Sequence, residues 1–179
     1  MKYAAFVFAL PMVFLSACTT SGGTAAASGA GAARAMLLAG DGSAHGEAIV
    51  TEASDGLHVA VRARGLTPGV HAVHIHMTGS CTPPDFASAG GHWNPTGRKH
   101  GKDNPDGMHM GDMPNMLAGS DGAEEMAFVI PGGTVKSGPH PLLDSDGAAI
   151  VIHAQADDNR TDPAGNAAGR VACGVFSAN

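Results

Sequence analysis

The chain has 179 residues, a formal charge of -6, 10 histidines, 3 cysteines and only 4% aromatic residues. Its acidity argues against nucleic acid as a partner and means that any anionic substrate needs a local positive focus near its site. With this length, one folded unit is expected, not two.

In chain order, Lys2 precedes an apolar run over 4–15 that is too short to span a bilayer and reads as an export signal. The run ends in Leu15-Ser16-Ala17-Cys18, which looks like a bacterial lipobox. Residues 1–17 are therefore expected to be a lipoprotein signal peptide and Cys18 to carry the lipid, with an ordinary secretory cut nearby as the alternative. Loss of Lys2 with the signal makes the chain more acidic by one charge. The expected location is the periplasm, with membrane contact through the lipid alone, and Thr19 in place of aspartate tilts the anchor toward the outer membrane. Residues 18–33 continue as Ser, Gly, Ala and Thr, a composition expected to form a flexible linker.

The domain is expected over 34–179. Residues 57–64 alternate apolar and polar, and Gly65-Leu66-Thr67-Pro68-Gly69 then supplies turn chemistry, which together predict a half-buried antiparallel strand. Further strands are expected at 47–53, 70–77, 125–130, 148–153 and 171–176, each bounded by Gly, Pro or Asp. Short strands at this spacing predict an all-β sandwich or barrel. Between 79 and 123 the pattern lapses into one long irregular loop, and a second loop follows over 154–169. If Cys18 is lipidated, Cys81 and Cys173 remain as an even pair in an oxidising compartment, which predicts a disulfide, with two separate buried thiols as the other reading.

His74 and His76 stand two apart on an expected strand, so both project from one face while Val73 and Ile75 pack behind. His92, His100, His109 and Asp112 fall in the first long loop, and His153 ends a later strand. Neutral imidazole suits copper and zinc, and a single carboxylate among imidazoles suits zinc better than calcium or magnesium. The chain reads as a metalloprotein. Met108, Met110, Met113 and Met116 crowd the same loop; their thioethers suit Cu(I), but adaptable filler is the plainer reading. Trp93 is expected to pack beneath the loop, and His45, His58 and His140 are expected at the surface.

Gly69-Val70-His71-Ala72-Val73-His74-Ile75-His76, Ala89-Gly90-Gly91-His92-Trp93-Asn94-Pro95, His109-Met110-Gly111-Asp112, Val151-Ile152-His153 and Gly165-Asn166-Ala167-Ala168-Gly169-Arg170-Val171-Ala172-Cys173-Gly174 together resemble the copper,zinc superoxide dismutases in their exported bacterial form. The resemblance implies a Greek-key β-sandwich, or flattened barrel, with two long functional loops. It assigns copper to His74, His76, His92 and His153, and zinc to His92, His100, His109 and Asp112, with His92 as a bridging imidazolate. It makes Arg170 the guide for superoxide anion and His92 a proton donor to the peroxide product. It makes Asp157 a carboxylate linking His74 and His100, and Cys81 with Cys173 the structural disulfide. His71 is expected as a hydrogen-bonding support behind the site. Ala72, Met77, Pro114 and Ala168 depart from the family's usual pattern, and a lysine of the better-known steering loop is missing, a role that Arg98 and Lys99 are placed to fill. A non-catalytic copper/zinc-binding or copper-delivery module on the same fold is the alternative, and either monomer or homodimer fits the sequence. A zinc hydrolase needs an open zinc position, which four candidate ligands close.

Overall fold

A computed structural model describes Met1 and residues 31–178. Cys18, the signal at 1–17 and most of the expected linker lie outside those residues. Among the described residues ten strands form: β1 (Ala32–Ala39), β2 (Ala44–Ala53), β3 (Gly56–Ala63), β4 (Gly69–His71), β5 (Val73–His76), β6 (Met116–Ala118), β7 (Glu124–Pro131), β8 (Ala149–His153), β9 (Arg170–Val175) and β10 (Ser177–Ala178). They make an antiparallel sheet in the order β5-β8-β9-β1-β2-β3-β7, with β10 on β1, and a separate β4-β6 ladder. β1, β2 and β3 meander, whereas β9 returns beside β1 and β7 beside β3, a crossover pattern of Greek-key type. The all-β expectation holds.

β3 shows why. Leu57, Val59, Val61 and Ala63 are buried while His58, Ala60 and Arg62 face outward, so the two-residue repeat of the sequence becomes one core face and one wet face. With Leu37, Val50, Ile75, Ile130, Ile150 and Ile152 these residues build the main core, each buried large aliphatic contributing roughly 1.5 to 3 kcal/mol. β8 is buried along its whole length. Ile150 and Ile152 face the main core, while Ala149 and Val151 face a smaller cluster with Phe86, Ala89 and Cys173 beneath the first long loop. A strand covered on both faces reads as a continuous apolar run.

The structure corrects three expectations. β1 begins at Ala32, and Ala33 is fully buried, so the last two residues of the expected linker (18–33) belong to the sheet. The strand expected over 70–77 is two strands in different sheets, because the Ala72 N–H donates to Gln155 O and its carbonyl accepts from the His153 N–H. The loop at 79–123 is not structureless: it contains β6 and a 3-10 turn at Ala87–Ala89. Trp93, Met113 and Met116 are buried in the core and Met110 packs against it, as the filler reading expects of these three methionines, whereas Met108 is half-buried outside that cluster. His58 is exposed beside Asp55, whereas His45 and His140 are half-buried.

Candidate metal centre

β5 and β8 present the first donors. Register pairs Val73 with Ile152 and Ile75 with Ile150 on the core side, which leaves His74 and His76 on the opposite face together with Val151 and Ala149. His153 ends β8 at a register shift opposite Arg170, the first residue of β9. The first long loop folds over this face through paired backbone bonds: Trp93 N–H to Ile75 O at 2.8 Å and Ile75 N–H to Gly111 O at 2.9 Å. His92, His109 and Asp112 are carried in by that pairing.

All six histidines and Asp112 are buried, none more than 7% exposed. Three donor groups result among the described residues, one of His74, His76, His92 and His153, one of His92, His100, His109 and Asp112, and a smaller one of His74, His100 and Asp157, with donor atoms within 4.8 Å of one another in each. His92 belongs to both four-residue groups.

The tautomers follow from the outer acceptors. His74 Nε2 donates to Asp157 Oδ2 at 2.9 Å, His76 Nδ1 to Gly90 O at 2.9 Å and His153 Nδ1 to Ala168 O at 3.3 Å. Their other nitrogens, His74 Nδ1, His76 Nε2 and His153 Nε2, have no hydrogen-bond partner although buried, and neither does His92 Nε2. Four buried lone pairs aimed at one point are costly unless a cation takes them. Around Asp112 Oδ1 the separations are 2.8 Å to His92 Nδ1 and 3.1 Å to both His100 Nδ1 and His109 Nδ1, with 3.4 Å between the His92 and His109 Nδ1 atoms. Tetrahedral zinc with bonds of about 2.0 Å requires ligand atoms about 3.3 Å apart, so this group fits zinc.

Asp157 ties the two four-residue groups together, accepting from His74 Nε2 on one oxygen and from His100 Nε2 on the other, both at 2.9 Å. Asn115 fixes it by a reciprocal pair, Asn115 Oδ1 accepting the Asp157 N–H at 2.8 Å and Asn115 Nδ2 donating to Asp157 O at 2.9 Å. Sequence reasoning missed Asn115; its only signal was an uncharged amide just past Asp112. His71 lies behind, its ring nitrogens 2.7 Å from His153 O and 2.8 Å from Thr67 O. Ala168 adopts φ 63°, a left-handed conformation that costs an alanine roughly 1 to 2 kcal/mol, and it presents the carbonyl that orients His153.

Gly165 makes this geometry possible. At φ 62° its missing Cβ would lie 1.8 Å from Asp157 Oδ1 and 2.7 Å from His100 Nε2. Gly165→Ala is expected to push Asp157 off both rings and to weaken metal retention roughly 10- to 100-fold, read by metal release to a chelating dye. Release at the parent rate would contradict the role given to that carboxylate.

Burial, aided by neighbouring imidazoles, pushes His76 down to about 2 and His153 to about 3. Burial also takes His92 down to about 4, although Asp112 resists. For His100 burial acts downward too, but hydrogen bonds with Asp112 and Asp157 outweigh it and raise the group to about 9. Against burial, histidine hydrogen bonds hold both carboxylates well below their ordinary range. In metal-stripped protein, acidification below 6.5 protonates the unfolded chain's imidazoles while folded His76, His92 and His153 refuse protons, so stability falls as pH drops. Above 6.5 the folded state alone keeps the His100 proton, so stability falls again toward pH 9. Melting temperature of the stripped protein is expected to peak near neutrality, and a flat profile from about pH 4.5 to 9 would contradict these shifts.

Arg170 is half-buried, and burial lowers its pKa against the opposing pull of Asp85. Its guanidinium donates to Phe86 O at 2.5 Å and Gly90 O at 2.7 Å. Those carbonyls belong to the loop tied to β9 by the Cys81–Cys173 disulfide. A cavity of about 570 Å³ opens beside it and is lined by His76, His92, His109, His153 and Arg170. Arg98 and Lys99 are exposed but do not line this cavity.

Comparisons with known proteins agree with this geometry. A superoxide dismutase [Cu-Zn] from Caulobacter vibrioides is 46% identical over 147 residues, which are 80% of this chain and 84% of that protein. The crystal structure of a SOD-like protein from Bacillus subtilis superposes with a TM-score of 0.76 at 40% identity, covering 79% of this chain and 96% of that one. A Cu/Zn superoxide dismutase from Brucella abortus superposes with a TM-score of 0.64 at 29% identity, covering 80% of this chain and 98% of that one. The model of the family described as copper/zinc superoxide dismutase matches residues 44–176, from β2 through the last core residue, so the chain belongs to the copper/zinc superoxide dismutase family.

Proposed function

We propose that this chain disproportionates superoxide to dioxygen and hydrogen peroxide, with copper on His74, His76, His92 and His153 and zinc on His92, His100, His109 and Asp112. The observation that carries this reading is the convergence of four unpartnered buried nitrogens on one side of His92, while its Nδ1 lies 2.8 Å from Asp112 on the other. Only histidine offers two donors pointing in opposite directions from one ring. Bound copper supplies one-electron exchange between Cu(II) and Cu(I), and bound zinc supplies fixed charge without redox.

The chain's own residues do the rest. Asp157, Gly90 and Ala168 hold the imidazole tautomers that keep Nδ1 of His74 and Nε2 of His76 and His153 facing inward. Arg170 keeps its charge and planar fork beside those donors, where it docks the small anion. His92 Nε2 is the atom that takes a proton and hands it to the departing peroxide. With Nδ1 on the Asp112 side, where zinc would be held, Nε2 is the ring nitrogen left to carry that proton.

The export reading completes the proposal: cleavage before Cys18, lipid on Cys18, and a periplasmic domain held at the membrane, as monomer or homodimer. Mass spectrometry of the N-terminal peptide tests the lipid. Metal analysis of the purified soluble domain, coupled to a superoxide-consumption assay, tests the activity: one copper and one zinc per chain with rapid turnover is expected, and metal-loaded protein without turnover would favour a binding or delivery module.

A further inference from the structure

We propose that the turn at 144–147 places opposing charge at the mouth of the metal cavity, so that Asp144 and Asp146 slow the entry of anionic substrate and make its capture faster as salt rises. The inference rests on the reading of superoxide as substrate. Among the described residues lining the cavity, Arg170 is the one Lys or Arg, while Asp144 and Asp146 are two exposed carboxylates. Neither Arg98 nor Lys99 joins that lining.

The two carboxylates are held in place. Asp144 Oδ1 accepts the N–H groups of Asp146 at 3.3 Å and Gly147 at 3.1 Å, which fixes the turn. The Gly79 N–H donates to Asp146 O at 2.8 Å, clamping the turn to the segment that follows Met77, itself part of the cavity wall. Arg170, meanwhile, spends two of its donors on Phe86 O and Gly90 O, which restrains it without neutralising it. An approaching anion therefore meets two exposed negative charges in the cavity wall as well as the attraction of half-buried Arg170 and of the buried metal donors' cations. Mobile ions screen exposed rim charges more strongly than a half-buried one, because the screening length shrinks from about 30 Å at 0.01 M to about 8 Å at 0.15 M salt. Added salt therefore removes more repulsion than attraction.

The test compares the metal-loaded parent with Asp144→Asn/Asp146→Asn, the asparagine at 144 keeping an oxygen to accept the turn's N–H groups. Superoxide consumption by pulse radiolysis is measured from 0.01 to 0.15 M salt. The parent rate is expected to rise with salt, and the variant to be about two- to five-fold faster at the low end with a flat or falling profile. Azide, an unreactive monoanion, is titrated in parallel through its optical band on the copper form, and its affinity is expected to rise by a similar factor. Asp55→Asn/Asp121→Asn, which removes the same charge outside the cavity lining, is the control. Equal salt profiles and azide affinities in parent and mouth variant, or an equal gain in the control, would overturn the proposal. Failure of the dismutase reading itself would look different: no turnover in any variant, with the azide differences intact.

Discussion

His153→Ala is expected to abolish superoxide consumption, by at least about a hundred-fold, while zinc stays bound and the sheet stays folded. His153 supplies one of the four inward-facing nitrogens, and removal of one leaves three donors and an enlarged cavity for copper. The zinc group does not use it. Its structural contribution runs through the backbone, which pairs with Arg170 and with Ala72 whatever the side chain. The site therefore fails as a copper site without failing as a fold. Copper and zinc content by mass spectrometry, far-ultraviolet circular dichroism and the rate of superoxide loss read the three outcomes separately. Full activity in this variant would refute the copper assignment.

Cys81→Ser/Cys173→Ser is the second large effect, and it acts on stability and on the site together. The bridge closes a sequence separation of 92 residues. In the chain-entropy model a loop of that length stabilises the fold by about 4 to 5 kcal/mol, which corresponds to a melting temperature lower by roughly 10 to 20 °C in the variant. The local consequence is more specific. Cys81 packs against the small cluster of Phe86, Ala89, Ala149, Val151 and Cys173 and pins the loop whose Phe86 and Gly90 carbonyls hold the Arg170 guanidinium. Gly90 O also orients His76. Catalytic efficiency is expected to fall by about ten-fold or more in protein that still binds zinc, since the restraint on Arg170 is worth two charge-assisted hydrogen bonds. A variant that melts with the parent and turns over normally would show that the bridge restrains neither the fold nor the arginine.

Much of the fold is legible in the sequence where one side of a strand is wet. In β3, Leu57, Val59 and Val61 alternate with His58, Ala60 and Arg62, and the structure places the strand where that alternation predicts it. β1 is different. Its alanine-rich sequence, Ala-Ala-Arg-Ala-Met-Leu-Leu-Ala, has little β preference of its own and continues directly from a Gly/Ala/Ser stretch. It becomes a central strand because β2, β9 and β10 pair with it, all of them brought there by the rest of the chain. The break at Ala72 is likewise invisible locally, since both of its backbone partners, Gln155 and His153, come from the far end of the sequence.

The sequence alone determined the chemistry of the donors: which residues carry imidazole or carboxylate, and the two-residue spacing that puts His74 and His76 on one face. Tertiary structure decided what those donors do. Which nitrogen of each ring faces inward is set by the acceptor behind it, and for His74 that acceptor, Asp157, is 83 residues away. The same holds for the carbonyls that restrain Arg170 and for Asp144 and Asp146 at the cavity mouth. A ligand's identity is a property of its side chain, but its tautomer, its aim and the field around it belong to neighbours that only folding brings near.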